Sequence, residues 1–224
     1  MIKPGDEWGT PTTAAPDLHV NGDDSTLAAA VGRSVSPPLV RFHPQGSELG
    51  RAVGLSDRSG RASDDAAGIE LPIDVIESSA GLAVNAIVIG VPPARLRFHH
   101  RRSPVTVAVD GRVLFDGAAT TIVIANGQFI DGLDVVPRGH PGDGRLEVQV
   151  YALNPSERLP MRQRIRTGTH LPHPRIVCTN GRTVEFTAPT AGGTTWSLTV
   201  DAQPTDAVSA LHASVRPQAF RLLI

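Results

Sequence analysis

Three carboxylates, Asp131, Asp134 and Asp143, stand in a Gly- and Pro-rich loop between Asn126-Gly127 and the alternating stretch Leu146-Glu147-Val148-Gln149-Val150-Tyr151. That is more acid than a purely structural connection needs, and divalent cations prefer such oxygen ligands. A second cluster, Asn21-Gly22-Asp23-Asp24-Ser25, follows Leu18-His19-Val20 and leads into the helical-looking Thr26-Leu27-Ala28-Ala29-Ala30-Val31. A strand, a tight polar turn and a helix start direct backbone N–H groups to one place, where a phosphate can be held. The same Asp and Ser residues equally start and cap a helix with no ligand at all. His170 and His173 suggest a metal, but no acidic or cysteine partner stands at diagnostic spacing, and hydrogen bonding within a turn is the preferred role. No nucleophile elbow, Walker loop or zinc-ribbon spacing occurs.

These residues depend on elements that are mostly strands. Ile122-Val123-Ile124-Ala125 is a short apolar run, and residues 145–151 alternate as a strand with one buried face does. Strands are expected over residues 70–77, 81–89, 105–110, 113–118 and 120–126, and again over 174–179, 183–187 and 196–200. Asp110-Gly111 between two of them is a hairpin signal, since that pair accepts the positive φ of a tight turn. Short strands at such spacing imply an antiparallel sandwich. Residues 1–16 read as a surface arm whose Trp8 tucks against the body, and residues 56–68 as a flexible loop or linker. Residues 154–166 suggest a short helix interrupted near Pro160, with Ser156 as a cap. Arg95, Arg97, His99, His100, Arg101 and Arg102 concentrate positive charge, as a solvated face or as a surface for a phospholipid head group.

Composition bounds the classes. A chain of 224 residues can bury a sizeable core, and aromatics at 4% favour a core of Val, Ile, Leu and Ala. A formal charge of −1 predicts no bulk attraction to nucleic acid or to anionic membrane. Lys3 is the only lysine, an arginine bias that fits a GC-rich genome or phosphate recognition by a planar fork. Cys178 is alone, so no internal disulfide forms. No apolar run approaches the roughly 20 residues that span a bilayer, and the N-terminus lacks a signal peptide's apolar segment. A cytoplasmic protein is expected, with peripheral membrane contact left open.

Ile124-Ala125-Asn126-Gly127, Pro137 and Asp143-Gly144-Arg145-Leu146-Glu147-Val148 together resemble the bacterial diacylglycerol kinase, or YegS-like, lipid kinase family. Its second domain carries V-A-N-G-x-x-x-G-G-G-x-x-x-x-P-x-A-x-x-x-D-G-x-L-x-V. Here Ile130-Asp131-Gly132-Leu133 replaces the glycine run. The turn at residues 21–25 is similar to the family's G-G-D-G-T, keeping Gly22 and Asp23, with Ser25 for Thr but Asn21 and Asp24 at glycine positions. Side chains there obstruct close backbone approach, and Asp24 adds negative charge where a nucleotide brings more. Residues 40–55 resemble a strand ending in P-x-G-T-x-N-D-F-A-R-A-L-G, with Ser47 and Glu48 at the Asn and Asp and a shorter glycine loop. Gly168-Thr169-His170 matches a G-x-H-like turn. Val200-Asp201-Ala202-Gln203 falls on V-D-G-E, whose acid acts as general base on the lipid hydroxyl; Gln203, an amide, cannot accept that proton.

The resemblance implies an α+β fold: a truncated α/β nucleotide-type domain of the NAD kinase/diacylglycerol kinase kind over residues 1–68, then an antiparallel β-sandwich over 69–224. The family's first strand and phosphate loop have no counterpart, so the chain is expected to begin partway through that first domain. The expected function is that of a divergent, catalytically degenerate lipid kinase with a lipid-binding or regulatory role. Two alternatives are an active ATP-dependent lipid kinase with Asp23 and Asp143 around Mg²⁺, and an interaction subunit completed by a partner chain. Ligand contact is expected in a cleft bordered by Asp23, Asn126, Gly127, Asp131 and Asp134, with a lipid-like or protein partner. By the resemblance, Asp143 belongs to a structural Mg²⁺ network.

Overall fold

Apolar–polar alternation becomes strand almost wherever the sequence carries it. The structure, a computed structural model, describes residues 8–55, 68–189 and 195–224. The expected arm is thus seen from Trp8 onward, and of the expected linker only Gly68 is described. In chain order come β1 (Thr10–Thr12), β2 (Leu18–Gly22), α1 (Asp24–Gly32), β3 (Leu39–Pro44), α2 (Glu48–Ala52), β4 (Gly68–Ser78), β5 (Gly81–Ala83) and β6 (Ala86–Gly90). A 3₁₀ turn at Pro93–Arg95 leads to β7 (Ser103–Val109), β8 (Arg112–Ala119), β9 (Thr121–Ala125), the small hairpin β10 (Phe129–Ile130) and β11 (Leu133–Asp134), and β12 (Leu146–Tyr151). Helix α3 (Pro155–Arg166) precedes β13 (Ile176–Gly181), β14 (Thr183–Thr187), β15 (Trp196–Val200), β16 (Gln203–Val208) and β17 (Ala210–Leu223).

Six strands form one sheet in the order β13-β12-β9-β6-β15-β16. The other sheet follows the path β1-β4-β17-β14-β7-β8, with β5 added on β4 and β3 and β2 added through β17. Pairing is antiparallel except where β2, β3 and β17 run in parallel. The expected hairpin is present, with Asp110 and Gly111 at φ +49° and +73° between β7 and β8.

Burial follows from the layers. Every residue of β9 is buried: Ile122 and Ile124 face the sandwich core with Val107, Val148, Phe186 and Leu198, while Val123 and Ala125 face the opposite side. Successive side chains alternate across a strand, so a continuous apolar run marks a sheet covered on both faces. The second cover is α3, whose Met161 and Ile165 pack with Tyr151, Leu153 and Ile176. A third cluster joins Leu27, Ala28 and Val31 of α1 to Val40, Phe42, Ile73, Val75, Phe220 and Leu222. An antiparallel sandwich joined to a small α/β unit is the fold class the sequence implied. Among the described residues, no helix is long and apolar enough to cross a membrane.

Two expectations are adjusted. The strand expected over 81–89 breaks at Val84-Asn85, because a buried carboxylate, Asp201, takes those backbone N–H groups out of the ladder. The helix expected to break at Pro160 is continuous; the proline removes one N–H early in α3, where Ser156 is exposed and its carbonyl can turn to water. Strand β17 carries a bulge between Arg216 and Phe220, with Gln218 at φ +49°, and there the bulged N–H of Gln218 donates to Asp74 Oδ1 at 2.8 Å.

Phe220 follows that bulge, is fully buried and bridges β17 to the α1 layer. Phe220→Ala is expected to cost about 3–5 kcal/mol by lost transfer energy and the cavity left behind. Urea unfolding checks it; a loss well under 1 kcal/mol would mean that this layer is not packed as described.

Candidate functional site

At the β2–α1 junction the backbone must turn sharply, and Gly22 does so at φ +146°, where an added Cβ would lie within 3.0 Å of Thr26. Asp23 is the helix N-cap: its Oδ1 accepts from Thr26 N at 2.9 Å, Thr26 Oγ1 at 2.7 Å and Ser25 Oγ at 2.9 Å. Its other oxygen accepts from Gln203 Nε2 at 3.1 Å, across 180 positions of sequence. Partial burial pushes the Asp23 carboxyl up, but the hydrogen bonds from Thr26, Ser25 and Gln203 outweigh it and leave the pKa below the usual range. Asn21 is exposed beside His43 in the β2–β3 ladder.

Asp24 turns inward. Nearly fully buried, it accepts from Ser47 Oγ and from the N–H groups of Glu48 at 3.0 Å and Leu49 at 3.3 Å, so it fixes the start of α2. Asp201, also buried, accepts from Val84, Asn85 and Ala86 N–H at 2.8, 2.9 and 3.0 Å. It occupies a turn with Asp201 at φ +46° and Ala202 at φ +63°, the conformation for which the family's glycine is suited. Burial, then the charge of Asp24, pushes Asp201 up to about 7 against those three donors. Burial likewise pushes Asp24 up to about 6, the charge of Glu48 adding to it.

Asn126 and Gly127 form a knot at the end of β9. Asn126 Nδ2 donates to Asp74 O at 2.8 Å and Val84 O at 3.0 Å, while both backbone N–H groups reach Asn85 O. A Cβ at Gly127 would come within 2.2 Å of Asn85 Oδ1, so any other residue there would displace the Asn85 side chain. Asp131 pairs with Arg95 at 2.8 Å, and Asp134 lies in the small hairpin opposite Phe129. His173 accepts from Arg175 N, two positions on, as hydrogen bonding within a turn would have it, whereas His170 is buried with Nε2 2.9 Å from Val135 O, a remote segment. Asp74 and Asn85 were invisible to motif reading; their only signal is a lone polar residue inside an apolar strand run.

The structure brings Asp24, Glu48, Asn85, Arg95, Asp131 and Asp201 around one small cavity of about 50 Å³. Ligand pockets are typically about 300–1,000 Å³, so this cleft admits water but no nucleotide or lipid as it stands. Its carboxylates face a single guanidinium, an unfavourable field for phosphate. A second cavity of about 630 Å³ lies on the outer face of β12 and β13, with Val136, Leu171 and Ile176 beside Arg138, Glu147 and Cys178.

At Asp143 the loop is closed by protein hydrogen bonds. Asp143 Oδ1 accepts from Arg145 N at 2.9 Å, and Asp74 takes the Gly144 N–H at 2.6 Å. Among the described residues no group of three His, Cys, Asp or Glu side chains is placed to hold a metal. The residues do not build a protein cage for Mg²⁺, and no step is routed through one. The melting temperature is expected to be equal in excess Mg²⁺ and in chelator; a rise with Mg²⁺ that Asp143→Asn abolishes would place an ion there.

A raised carboxyl holds its proton more tightly in the folded state. Asp24, at about 6 against 3.8 unfolded, therefore contributes its full stabilisation below that lower value and loses it as pH rises to about 6. Asp24→Asn should cost more at pH 4 than at pH 8, by up to about 3 kcal/mol. Urea midpoints of both proteins at the two pH values test this, and an equal cost at both would overturn it.

Residues 94–224 match the pattern of the YegS C-terminal NAD kinase beta sandwich-like domain. The fold is similar to that of a diacylglycerol kinase from Bacillus anthracis str. Sterne, with a TM-score of 0.73 at 17% identity over 92% of this chain and 76% of that one. A second structure from the same organism, carrying the kinase name in provisional form, gives 0.74 at 15% identity over 92% and 78%. At such identities the likeness is one of fold. No curated protein matches the chain. The domain pattern covers more than half of the sequence, and the chain therefore belongs to the YegS C-terminal NAD kinase beta sandwich-like domain family, on a diacylglycerol-kinase-like fold.

Proposed function

We propose that the protein is a lipid kinase relative that has lost phosphotransfer and retains a lipid-binding or regulatory role. The observation that carries this reading is the contact between Gln203 and Asp23. In the family pattern, position 203 is the acid that takes the proton of the lipid hydroxyl. Here it is an amide, and its Nε2 donates to the neighbouring carboxylate. Proton transfer needs a group of suitable pKa within hydrogen-bond reach of the reacting hydroxyl. Gln203 has no such pKa, and Asp23, with its pKa held low and both oxygens engaged by Thr26, Ser25 and Gln203, is a helix cap and a weak base.

The acidic lining of the small cleft supports the same reading, since ATP would add negative charge beside Asp24, Glu48 and Asp201. The retained binding role is supported by the larger cavity, whose mixed lining of Val136, Leu171 and Ile176 with Arg138 and Glu147 suits an amphiphile.

Purified protein incubated with ATP–Mg²⁺ and diacylglycerol in mixed micelles is expected to yield no phosphorylated lipid. Gln203→Glu is expected not to restore turnover, because the new carboxylate stands against Asp23. Turnover by the unmodified protein that disappears in Asp23→Ala would overturn the reading. In a thermal-shift panel, diacylglycerol-type lipids should raise the melting temperature and ATP–Mg²⁺ should not, since ligands that bind only the folded state stabilise it.

A further inference from the structure

A concentrated positive surface runs on from Arg95 at the cleft, along the loop between β6 and β7 and onto the helix packed against it. Arg97, Arg101 and Arg102 are exposed in the loop and Arg164 and Arg166 on α3, while residues 91–103 contain no acid. The acid of the helix, Glu157, is engaged by the Asn154 N–H at 2.6 Å and by Arg175 at 3.2 Å. Two large apolar side chains stand on these same elements: Phe98 is 77% exposed and Leu159 71%. Single exposed apolar residues are ordinary, but a pair of this size set among cations marks an interaction surface.

The loop is held from beneath. Arg158, 1% exposed, donates to the carbonyls of Arg97 at 3.0 Å, Phe98 at 2.9 Å and His100, and to Leu153 O at 3.3 Å. Arg162 Nε adds a bond to Ala94 O at 2.8 Å. Among the described residues no carboxylate pairs with Arg158. Burying a guanidinium on carbonyls alone is costly, and its result is a loop of one defined shape, carbonyls inward, with Phe98 and the arginines outward.

We infer that this face docks the protein on an anionic phospholipid bilayer. Phe98 and Leu159 enter the boundary between head groups and acyl chains, and the arginines meet lipid phosphates, the combination by which interfacial segments bind. Charge alone would serve a nucleic acid or an acidic protein. The apolar tips favour a surface that takes hydrocarbon and charge together. Docking requires neither the loss of phosphotransfer nor a ligand in either cavity.

Sedimentation of the full chain with phosphatidylcholine vesicles, and with vesicles that also contain phosphatidylglycerol, tests the inference at low and high salt. Binding is expected only to the mixed vesicles and is expected to weaken with salt. Arg97→Glu with Arg101→Glu should weaken it by more than about tenfold. Phe98→Ser with Leu159→Ser should also weaken it severalfold; melting temperatures of both variants should be unchanged, because all four side chains are exposed. Absence of binding to mixed vesicles, or equal binding by both double variants, overturns the inference. So does equally tight binding to heparin or single-stranded DNA that the Phe98 and Leu159 changes leave intact, which would make this a polyanion site.

Discussion

Backbone N–H groups cannot be left unpaired in a protein interior, where each orphan costs about 1–3 kcal/mol, and three buried aspartates meet that demand at a helix start, a strand break and a strand bulge of this protein. Asp24 receives the first N–H groups of α2, Asp201 those of the gap between β5 and β6, and Asp74 those of the β17 bulge and of the turn after Asp143. Each draws in a segment remote in sequence. Remove them and the strands remain plausible as strands, but nothing fixes how the α/β layer meets the sandwich. Burial raises the pKa of all three carboxyls, and the amides they accept from oppose that rise.

The same interaction limits the chemistry. Burial lifts Asp24 and Asp201 toward neutral pKa values, but their oxygens are turned to Ser47 and to backbone N–H groups rather than toward a reacting hydroxyl or a metal ion. Asp24 and Asp201 border the small cleft, yet they are committed to Ser47 and the main chain around it. Ala202 sharpens the point: a non-glycine residue at positive φ costs on the order of 1 kcal/mol and persists only when its surroundings over-determine it. Here Asp201, bonded to three amides on the neighbouring segment, supplies that constraint, and the turn in turn presents Gln203 to Asp23.

Much of the architecture was legible because strand periodicity is strong: the runs around Ile122, Leu146 and Val105 announced strands of an antiparallel sandwich, although residues 145–151 read as having one buried face and β12 is covered on both. The family pattern around Asn126 and Asp143 was legible too, and the fold comparison bears it out. Less legible was what those residues do. Asn126 reads as part of a binding motif but spends its amide on Asp74 and Val84 carbonyls; Asp23 reads as phosphate-holding or capping, and the geometry gives the cap. Asp74 and Asn85 carry no local signal, because their partners at 144, 218 and 129 are set by topology rather than by spacing. The loop from Pro92 to Arg102 was legible as charge, but its shape depends on Arg158, a buried arginine that nothing in the sequence singles out.

Strand β17 has a consequence for the order of assembly. It pairs with β4 on one side and β14 on the other, and its end also runs beside β3. Among the described strands it is the last in chain order. Until residues 210–223 leave the ribosome, β3, β4 and β14 each present an unpaired edge, and the apolar faces later covered by Leu211, Phe220 and Leu222 remain open. Local structure such as the β7–β8 hairpin can form early, but closure of the nine-stranded sheet joins the most distant parts of the chain and is slow for that reason. A nascent chain of this protein therefore spends its synthesis as a set of sticky half-sheets, dependent on chaperones or on speed to avoid pairing with its neighbours on the same messenger.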